Sequence, residues 1–147
     1  IKQLQNGVSL SVDAERLTPS KTGTFKVGDL ITGYGTAMSV EHFYTVWGGD
    51  LTQKRVIIQG WGNVASGAAY YLSQMGAKVV GIIDKVGGLM KPEGFTLEEV
   101  TTLFNTKDGN ALSAPHMLSF EEANRQIWSM GAEVFIPAAA SRLVNRL

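Results

Sequence analysis

The sequence contains no cysteine, only four prolines and no excess of charge, because 13 basic side chains balance 13 acidic ones. The missing cysteines exclude disulfides, thiol catalysis and thiolate metal sites. Balanced charge gives no electrostatic reason to expect nucleic acid or an acidic membrane as a partner. No apolar run approaches the roughly 18 residues of a membrane span, and there is no signal-peptide pattern. We therefore expect a cytoplasmic protein, and the start at Ile1 indicates a piece of a longer one.

The composition that is present is typical of one globular domain with a core, since 44% of the residues are hydrophobic and 18% are charged. Residues 1–29 are polar, and we expect an irregular lead-in with at most a short strand around Val8–Val12. Residues 30–147 are expected to form the domain proper. Its first helix is predicted to follow Thr32, where helical periodicity begins, and to end at Gly48-Gly49.

Short apolar runs then alternate with helical segments along the rest of the chain. Strands are predicted at Val56–Gln59, Val79–Ile83 and Glu133–Ile136, and helices at Asn63–Met75, Thr96 to about Thr106 and Ser119 to Gly131. The segment DKVGGLMKPEGF is rich in turn residues, so we expect turns there. This alternation predicts a three-layer α/β domain with a mostly parallel sheet and helices on both faces.

Between the first predicted strand and its helix, the letters GWGNVA match the G-x-G-x-x-A turn of a dinucleotide site. Gly60 allows a sharp turn off the strand, and Gly62 lets the backbone approach a pyrophosphate. The N–H groups near Asn63 and Val64 lie at a helix N-terminus, where the dipole favours an anion. Asp84, about 20 residues later at the end of the next strand, can accept from ribose hydroxyls. Together these features predict a Rossmann-like dinucleotide-binding domain.

Two other small residues in the same helix are explained by packing. Ala65 takes the third fingerprint position, where a small side chain lets helix and sheet pack closely. Gly67 is expected to be small for the same reason. The alternatives are a glycine turn that binds nothing, and other nucleotide or methyl-donor folds that use this turn.

The segments TGYGTAMSV, QGWGNVASGAA, GAKVVGIIDKVGG, KPEGF and IPAAA follow in this order between Leu30 and Ala140. They resemble the cofactor-binding domain of glutamate dehydrogenases, in the glutamate, leucine, phenylalanine and valine dehydrogenase superfamily. The resemblance implies a C-terminal NAD(P)-binding domain of an enzyme that moves a hydride between glutamate and NAD(P), with 2-oxoglutarate and ammonia on the other side. It also implies that the parent is a homo-hexamer.

The family's substrate domain has no motif in this chain. We therefore expect the amino-acid substrate to bind through that other domain, no catalytic residue here, and no activity from this chain alone. A regulatory module that binds a dinucleotide without chemistry is the alternative function. TGYG and IPAA favour the enzyme, since a sensor module has no need to line a nicotinamide pocket.

The resemblance also implies cofactor contacts for single residues. Thr32 and Asn63 correspond to family residues near the nicotinamide carboxamide, and the backbone of Ala138 and Ala139 to the lining of the nicotinamide ribose pocket. Thr32 is equally well explained as a helix N-cap, and Asn63 has a first-turn capping role as an alternative or an addition. The two alanines are alternatively explained as core packing after a strand.

The choice of cofactor depends on the end of the second predicted strand. The carboxylate of Asp84 repels a 2′-phosphate and accepts from a 2′-hydroxyl, which favours NAD. The ammonium of Lys85 can pair with a 2′-phosphate, which leaves NADP possible. We therefore predict NAD over NADP.

Several further residues invite a functional reading but are better explained by structure. His42 and His116 are isolated, with no carboxylate or thiol at ligand spacing, so no metal site is predicted. Trp61 is expected to cover the glycine loop rather than to contact the cofactor. The helical stripe of Tyr34, Met38 and Trp47 is expected to face the core.

Overall fold

The structure, a computed structural model, describes residues 2–20 and 25–140. Its strands are β1 (Arg55–Gln59), β2 (Lys78–Asp84), β3 (Gly87–Met90) and β4 (Val134–Pro137). Its helices are α1 (Lys2–Val8), α2 (Val27–Trp47), α3 (Asn63–Gln74), α4 (Leu97–Thr106) and α5 (Phe120–Gln126), and a 3-10 turn, Ile127–Ser129, extends α5. Residues 141–147, the end of the predicted domain, lie outside the described residues.

The four strands form one sheet in the order β3-β2-β1-β4. β1 pairs in parallel with β2 on one side and with β4 on the other, whereas β3 runs antiparallel to β2. The mostly parallel sheet predicted from the sequence is confirmed. Because β1 and β2 are covered on both faces, their sequences are continuous apolar runs.

The sheet carries a separate core on each face, since successive side chains of a strand point to opposite sides. Val56 and Ile58 of β1 belong to a large core that also contains residues of α2, α3 and α4. Ile57 belongs to a smaller core with Ala123 and Ile127, from α5 and its extension. The predicted three layers, with helices on both faces, are confirmed. Burial stabilises each such aliphatic side chain by roughly 1.5–3 kcal/mol.

Helices α2 and α3 cross at a pair of glycines. A Cβ built on Gly33 would lie 2.8 Å from the Cα of Gly67, and one on Gly67 would lie 3.3 Å from the Cα of Gly33. The two helix backbones therefore approach too closely for a side chain at Gly33. Gly67 is small because of its contact with α2, so the explanation by close packing on the sheet is wrong.

The same crossing decides which face of α2 is buried. The buried residues of α2 are Leu30, Gly33 and Ala37. The prediction that Tyr34, Met38 and Trp47 face the core is wrong for Trp47, which is 76% exposed, and for Tyr34, which is 39% exposed and packs the edge of its ring against Tyr71, whereas Met38 is half-buried. A close helix crossing needs short side chains, so a glycine and not a bulky residue lies at the contact.

The irregular lead-in predicted for residues 1–29 is wrong at both of its ends. Its first part forms α1, and the strand expected around Val8–Val12 is reduced to one isolated bridge between Ser11 and Lys26. Helix α2 begins at Val27, well before Thr32, because the side chain of Asp29 accepts the Lys26 N–H at 2.9 Å and caps the first turn. The predicted boundary between the lead-in and the domain, at residue 30, thus falls within the first turn of α2. The division of the chain into these two parts stays a prediction.

The irregular residues between the two helices are docked on the domain. The Tyr70 hydroxyl donates to the Thr18 carbonyl at 3.1 Å, and the Tyr71 hydroxyl donates to the Leu17 carbonyl. The Asn105 amide donates to the Pro19 carbonyl at 2.9 Å. Burial raises the pKa of Tyr71 to about 12. The lead-in therefore packs on α3 and α4.

Strand β3 lies in the segment for which turns were expected. It contains Gly87 and Gly88, and glycine weakens strand propensity, so the sequence pattern hides it. A Cβ on Gly88 would lie 2.7 Å from the Cβ of Ala123. The glycine is therefore required for α5 to pack directly on this edge of the sheet.

The other predicted elements are confirmed to within about two residues at most ends, and their ends have local causes. The Thr96 hydroxyl accepts the Glu99 N–H at 3.1 Å, and the Ser119 hydroxyl accepts the Glu122 N–H at 3.2 Å. Gly76, just after α3, has a φ of +88°. Among the helices of the described ranges, none has the length and apolar character to cross a membrane.

Gly33→Ala is expected to lower the free energy of unfolding by about 1–3 kcal/mol, because the new Cβ overlaps the backbone of α3. Gly35→Ala is the matched control, since a Cβ there has nothing within 4 Å. Alanine's better helix propensity is expected to stabilise this control by up to about 1 kcal/mol. Urea unfolding measures the free energy of unfolding of both variants. Equal values for Gly33→Ala and Gly35→Ala would contradict the close crossing of α2 and α3.

Candidate functional site

The carboxyl ends of three strands meet at one edge of the sheet. The Gly60 N–H, directly after β1, donates to the Ile83 carbonyl of β2 at 2.7 Å. The Ala138 N–H, directly after β4, donates to the Gln59 carbonyl of β1 at 2.9 Å. This edge is where ligands bind in open α/β sheets. It brings the glycine turn, the end of β2 and the two alanines together.

Gly60 is required by the protein's own structure. Its φ is +97°, a conformation that favours glycine, and a Cβ there would lie 2.7 Å from the Cα of Ala139. The backbone of Ala138 and Ala139 therefore packs directly on the glycine turn. Ala138 is partly buried and packs against the core, so the alternative explanation by core packing holds for it. Ala139, in contrast, is exposed.

Gly62 is different, because neither its backbone nor its neighbours require glycine. Its φ is −70°, which any residue adopts, and a Cβ would lie 3.5 Å from the Asn110 side-chain oxygen, an ordinary contact. As the N-cap of α3 it supplies no side-chain hydrogen bond, in contrast to Thr96 and Ser119 at α4 and α5. A side chain would therefore fit at Gly62 in ordinary contact with Asn110, so the protein's own packing does not explain the glycine at the start of α3.

The first amides of α3 are available to a ligand for a geometric reason. The Ser66 N–H makes the first intrahelical bond, to the Gly62 carbonyl at 2.9 Å, so the three preceding N–H groups have no partner one turn back. These belong to the residues from Asn63 to Ala65, of which Asn63 and Val64 are half-buried and Ala65 is buried. Such a start of a helix favours an anion.

The side chain of Asn63 lies between an acid and a base from distant parts of the chain. Its Nδ2 donates to the Asp29 Oδ1 at 3.2 Å, and its Oδ1 accepts from the Lys107 ammonium. The first-turn capping role considered for Asn63 is therefore wrong. Asp29 and Lys107 were missed from the sequence, because they are 34 and 44 residues away and belong to no motif.

Asp84 serves as an anchor within the protein. It is 7% exposed, and its two oxygens accept the backbone N–H groups of Lys85 and Leu112, both at 2.8 Å. It thereby ties the loop after α4 to the end of β2. Each carboxylate oxygen keeps a second lone pair that can accept from a ribose hydroxyl. The predicted contact of Asp84 with the ribose therefore stays a prediction. The side chain of Lys85 is exposed beside it.

Thr32 lies within α2 rather than at its start, so the N-cap explanation is wrong. It is exposed and follows Asp29, which contacts Asn63, by about one helical turn. The structure therefore places Thr32 on the helix that borders the glycine turn, and its contact with a nicotinamide stays a prediction.

Trp61 does not cover the glycine loop from outside. It is fully buried, and its indole N–H donates to the Leu103 carbonyl at 3.0 Å, which anchors the loop to α4. His42 and His116 are exposed. Within residues 2–20 and 25–140 no group of three or more His, Cys, Asp or Glu side chains is placed to hold a metal ion.

Comparison with known proteins gives consistent results for this arrangement. The family model for Glutamate/Leucine/Phenylalanine/Valine dehydrogenase matches residues 23–146. The NADP-specific glutamate dehydrogenase of Saccharolobus shibatae is 30% identical over 128 residues, which are 87% of this chain and 30% of that protein. The NAD-specific glutamate dehydrogenase of Bacteroides fragilis is 32% identical, over 89% of this chain and 33% of that protein.

A solved structure with the same fold is the hetero-hexameric glutamate dehydrogenase of Thermus thermophilus in its Leu-bound form. It superposes with a TM-score of 0.64 at 29% identity, over 80% of this chain and 26% of that one. The chain thus spans about a third of the length of the curated relatives named above. From the family match and these relatives, the chain belongs to the glutamate, leucine, phenylalanine and valine dehydrogenase family.

Proposed function

We propose that this chain is the C-terminal NAD(P)-binding domain of a glutamate dehydrogenase, which converts glutamate to 2-oxoglutarate and ammonia with hydride transfer to the cofactor. The observation that carries the proposal is the start of α3. Gly62 lacks a side chain there although its φ of −70° and its ordinary contact with Asn110 would allow one, and it lies beside amides without helical partners. The names of the two curated relatives, one NAD-specific and one NADP-specific, support a nicotinamide dinucleotide as the ligand.

The residues of this chain would bind and orient the cofactor. The amides of α3 donate to the diphosphate, whose charge the helix dipole favours. The amide of Asn63 offers a donor near the same turn, and the backbone of Ala138 and Ala139 forms a wall against Gly60. The bound nicotinamide supplies the hydride chemistry. Holding it rigidly against a substrate is the contribution that such a domain makes to the rate.

The substrate and the assembly belong to the same proposal. We expect glutamate to bind through a substrate domain of the parent protein, which supplies the catalytic residues, in a hexamer in the cytoplasm. The similar enzyme of Thermus thermophilus is hetero-hexameric, whereas we propose a homo-hexamer for this protein. Hydride transfer by the full-length parent would exclude the alternative of a regulatory module without chemistry, and this chain alone is expected to be inactive.

Gly62→Val is expected to weaken NAD binding at least about tenfold while the domain stays folded, because the side chain fills the space of the diphosphate. The new Cβ meets only the side chain of Asn110, at 3.5 Å, and Asn110 is exposed, so its side chain can turn away from the γ-methyls and the fold is expected to be kept. Calorimetric titration with NAD measures the affinity, and thermal unfolding measures the fold.

Gly60→Ala serves as the contrasting variant. Its Cβ would overlap the backbone of Ala139 and its φ is positive, so it is expected to lower stability by about 1–3 kcal/mol. Equal NAD affinity for the wild type and Gly62→Val would contradict the assignment of the glycine turn.

We predict that the domain binds NAD more tightly than NADP, because the carboxylate of Asp84 repels a 2′-phosphate. The test titrates both cofactors at one ionic strength into the wild type and Lys85→Ala. Since Lys85 is exposed, the variant is expected to fold normally and to bind NAD as the wild type does. Tighter NADP binding by the wild type, lost in Lys85→Ala, would overturn the prediction.

A further inference from the structure

A half-buried lysine, Lys107, lies beside the glycine turn, and the cofactor contacts proposed above give it no role. The ammonium of Lys107 donates to the Oδ1 of Asn63 and to the Ser66 hydroxyl, at 3.3 Å from the latter. It also lies 4.5 Å from the centroid of the Phe104 ring. Lys107 follows the last residue of α4, so its side chain reaches from that helix to the first turn of α3.

The positive charge of Lys107 is held by neutral partners. Both acceptors are neutral oxygens, and the Ser66 hydroxyl itself donates to the Gly62 carbonyl at 2.8 Å. Asp29 is linked to the ammonium through the amide of Asn63. Burial lowers the pKa of Lys107, and the charge of Asp29 opposes this effect. A partly desolvated cation without a direct carboxylate partner among the described residues can interact more strongly with an anionic ligand than an exposed one does.

Lys107 also determines the orientation of the Asn63 amide. With Lys107 on the oxygen and Asp29 on the nitrogen, both contacts pair a donor with an acceptor. A flipped amide would set its NH2 group against the ammonium and its oxygen against the carboxylate. The amide therefore has one orientation, which leaves one N–H and one lone pair of Asn63 for a ligand.

The loop that follows Lys107 is fixed along the site. Asn110 stands against Gly62, with 3.5 Å between its side-chain oxygen and the position of a Cβ there. The Leu112 N–H donates to Asp84 at the end of β2. The segment from Lys107 to Leu112 thus runs from the first turn of α3 to the end of β2. A residue held in this way acts on a ligand with little loss of side-chain entropy.

We propose that Lys107 is a cofactor-positioning residue, which fixes the Asn63 amide and places a positive charge beside the first turn of α3 for the diphosphate of a dinucleotide. The inference rests on the proposed function, because it presumes that a dinucleotide binds at this turn. The inference adds to the cofactor site a residue outside the G-x-G-x-x-A turn. The α3 dipole supplies partial positive charge, and Lys107, after α4, supplies a full positive charge.

The test titrates the chain with NAD, with ADP-ribose, which lacks the nicotinamide, and with adenosine, which lacks every phosphate. In Lys107→Met the affinities for NAD and ADP-ribose are expected to fall by about tenfold or more, and the affinity for adenosine to stay nearly unchanged. The affinity of this variant for ADP-ribose is also expected to depend less on ionic strength. A purely structural role would not change the salt dependence.

Lys54→Met is the matched control. Lys54 also lies over an aromatic ring, 5.7 Å from the centroid of Tyr44, but it precedes β1 and so lies at the opposite end of that strand from the glycine turn. The affinities of Lys54→Met for all three ligands are expected to equal those of the wild type. Lys107→Gln, which keeps a donor and loses the charge, gives the same comparison if Lys107→Met does not fold.

A double-mutant cycle with Asn63→Ala tests whether Lys107 acts partly through Asn63. The two substitutions are expected to be non-additive for NAD, since each disturbs the same contact. If the wild type binds neither NAD nor ADP-ribose, the proposed function is wrong. If the wild type binds both, but Lys107→Met or Lys107→Gln folds and binds them equally well with unchanged salt dependence, only the role of Lys107 is wrong.

Discussion

The contact between Gly33 and Gly67 is the constraint on which the candidate site depends. Because two helix backbones meet there without side chains between them, α2 lies directly across α3. This crossing brings Asp29, in the first turn of α2, within 3.2 Å of Asn63, at the start of α3. A larger separation of the helices would remove the acid from the glycine turn.

The two glycines of the turn serve different purposes, and only the structure separates them. Gly60 is needed because the chain turns sharply and the backbone of Ala139 lies against it. Gly62 is needed by nothing described in the protein, and it leaves α3 without a side-chain cap. Glycine is accepted at a helix N-cap, but neither its φ nor its neighbours require glycine here. The missing side chain of Gly62 is therefore the strongest sign of a ligand.

The electrostatics of the site come from three separate elements. The dipole of α3 contributes partial positive charge, Lys107 at the end of α4 contributes a full one, and Asp29 on α2 contributes a negative charge that Asn63 links to Lys107. Asp84 is committed to the loop after α4, through the Leu112 N–H. Binding of a dinucleotide would therefore involve a preorganised network rather than a single motif.

The sequence by itself determined what depends on neighbouring residues. Apolar runs specified β1, β2 and β4, and the caps at Thr96 and Ser119 specified the starts of α4 and α5. Tertiary structure decided what depends on contacts between distant segments: the buried face of α2, the strand β3 and the partners of Asn63. The physical reason is range, since periodicity and capping act within a few residues, whereas the position of Lys107 beside Asn63 requires that the whole sheet and its helices have packed.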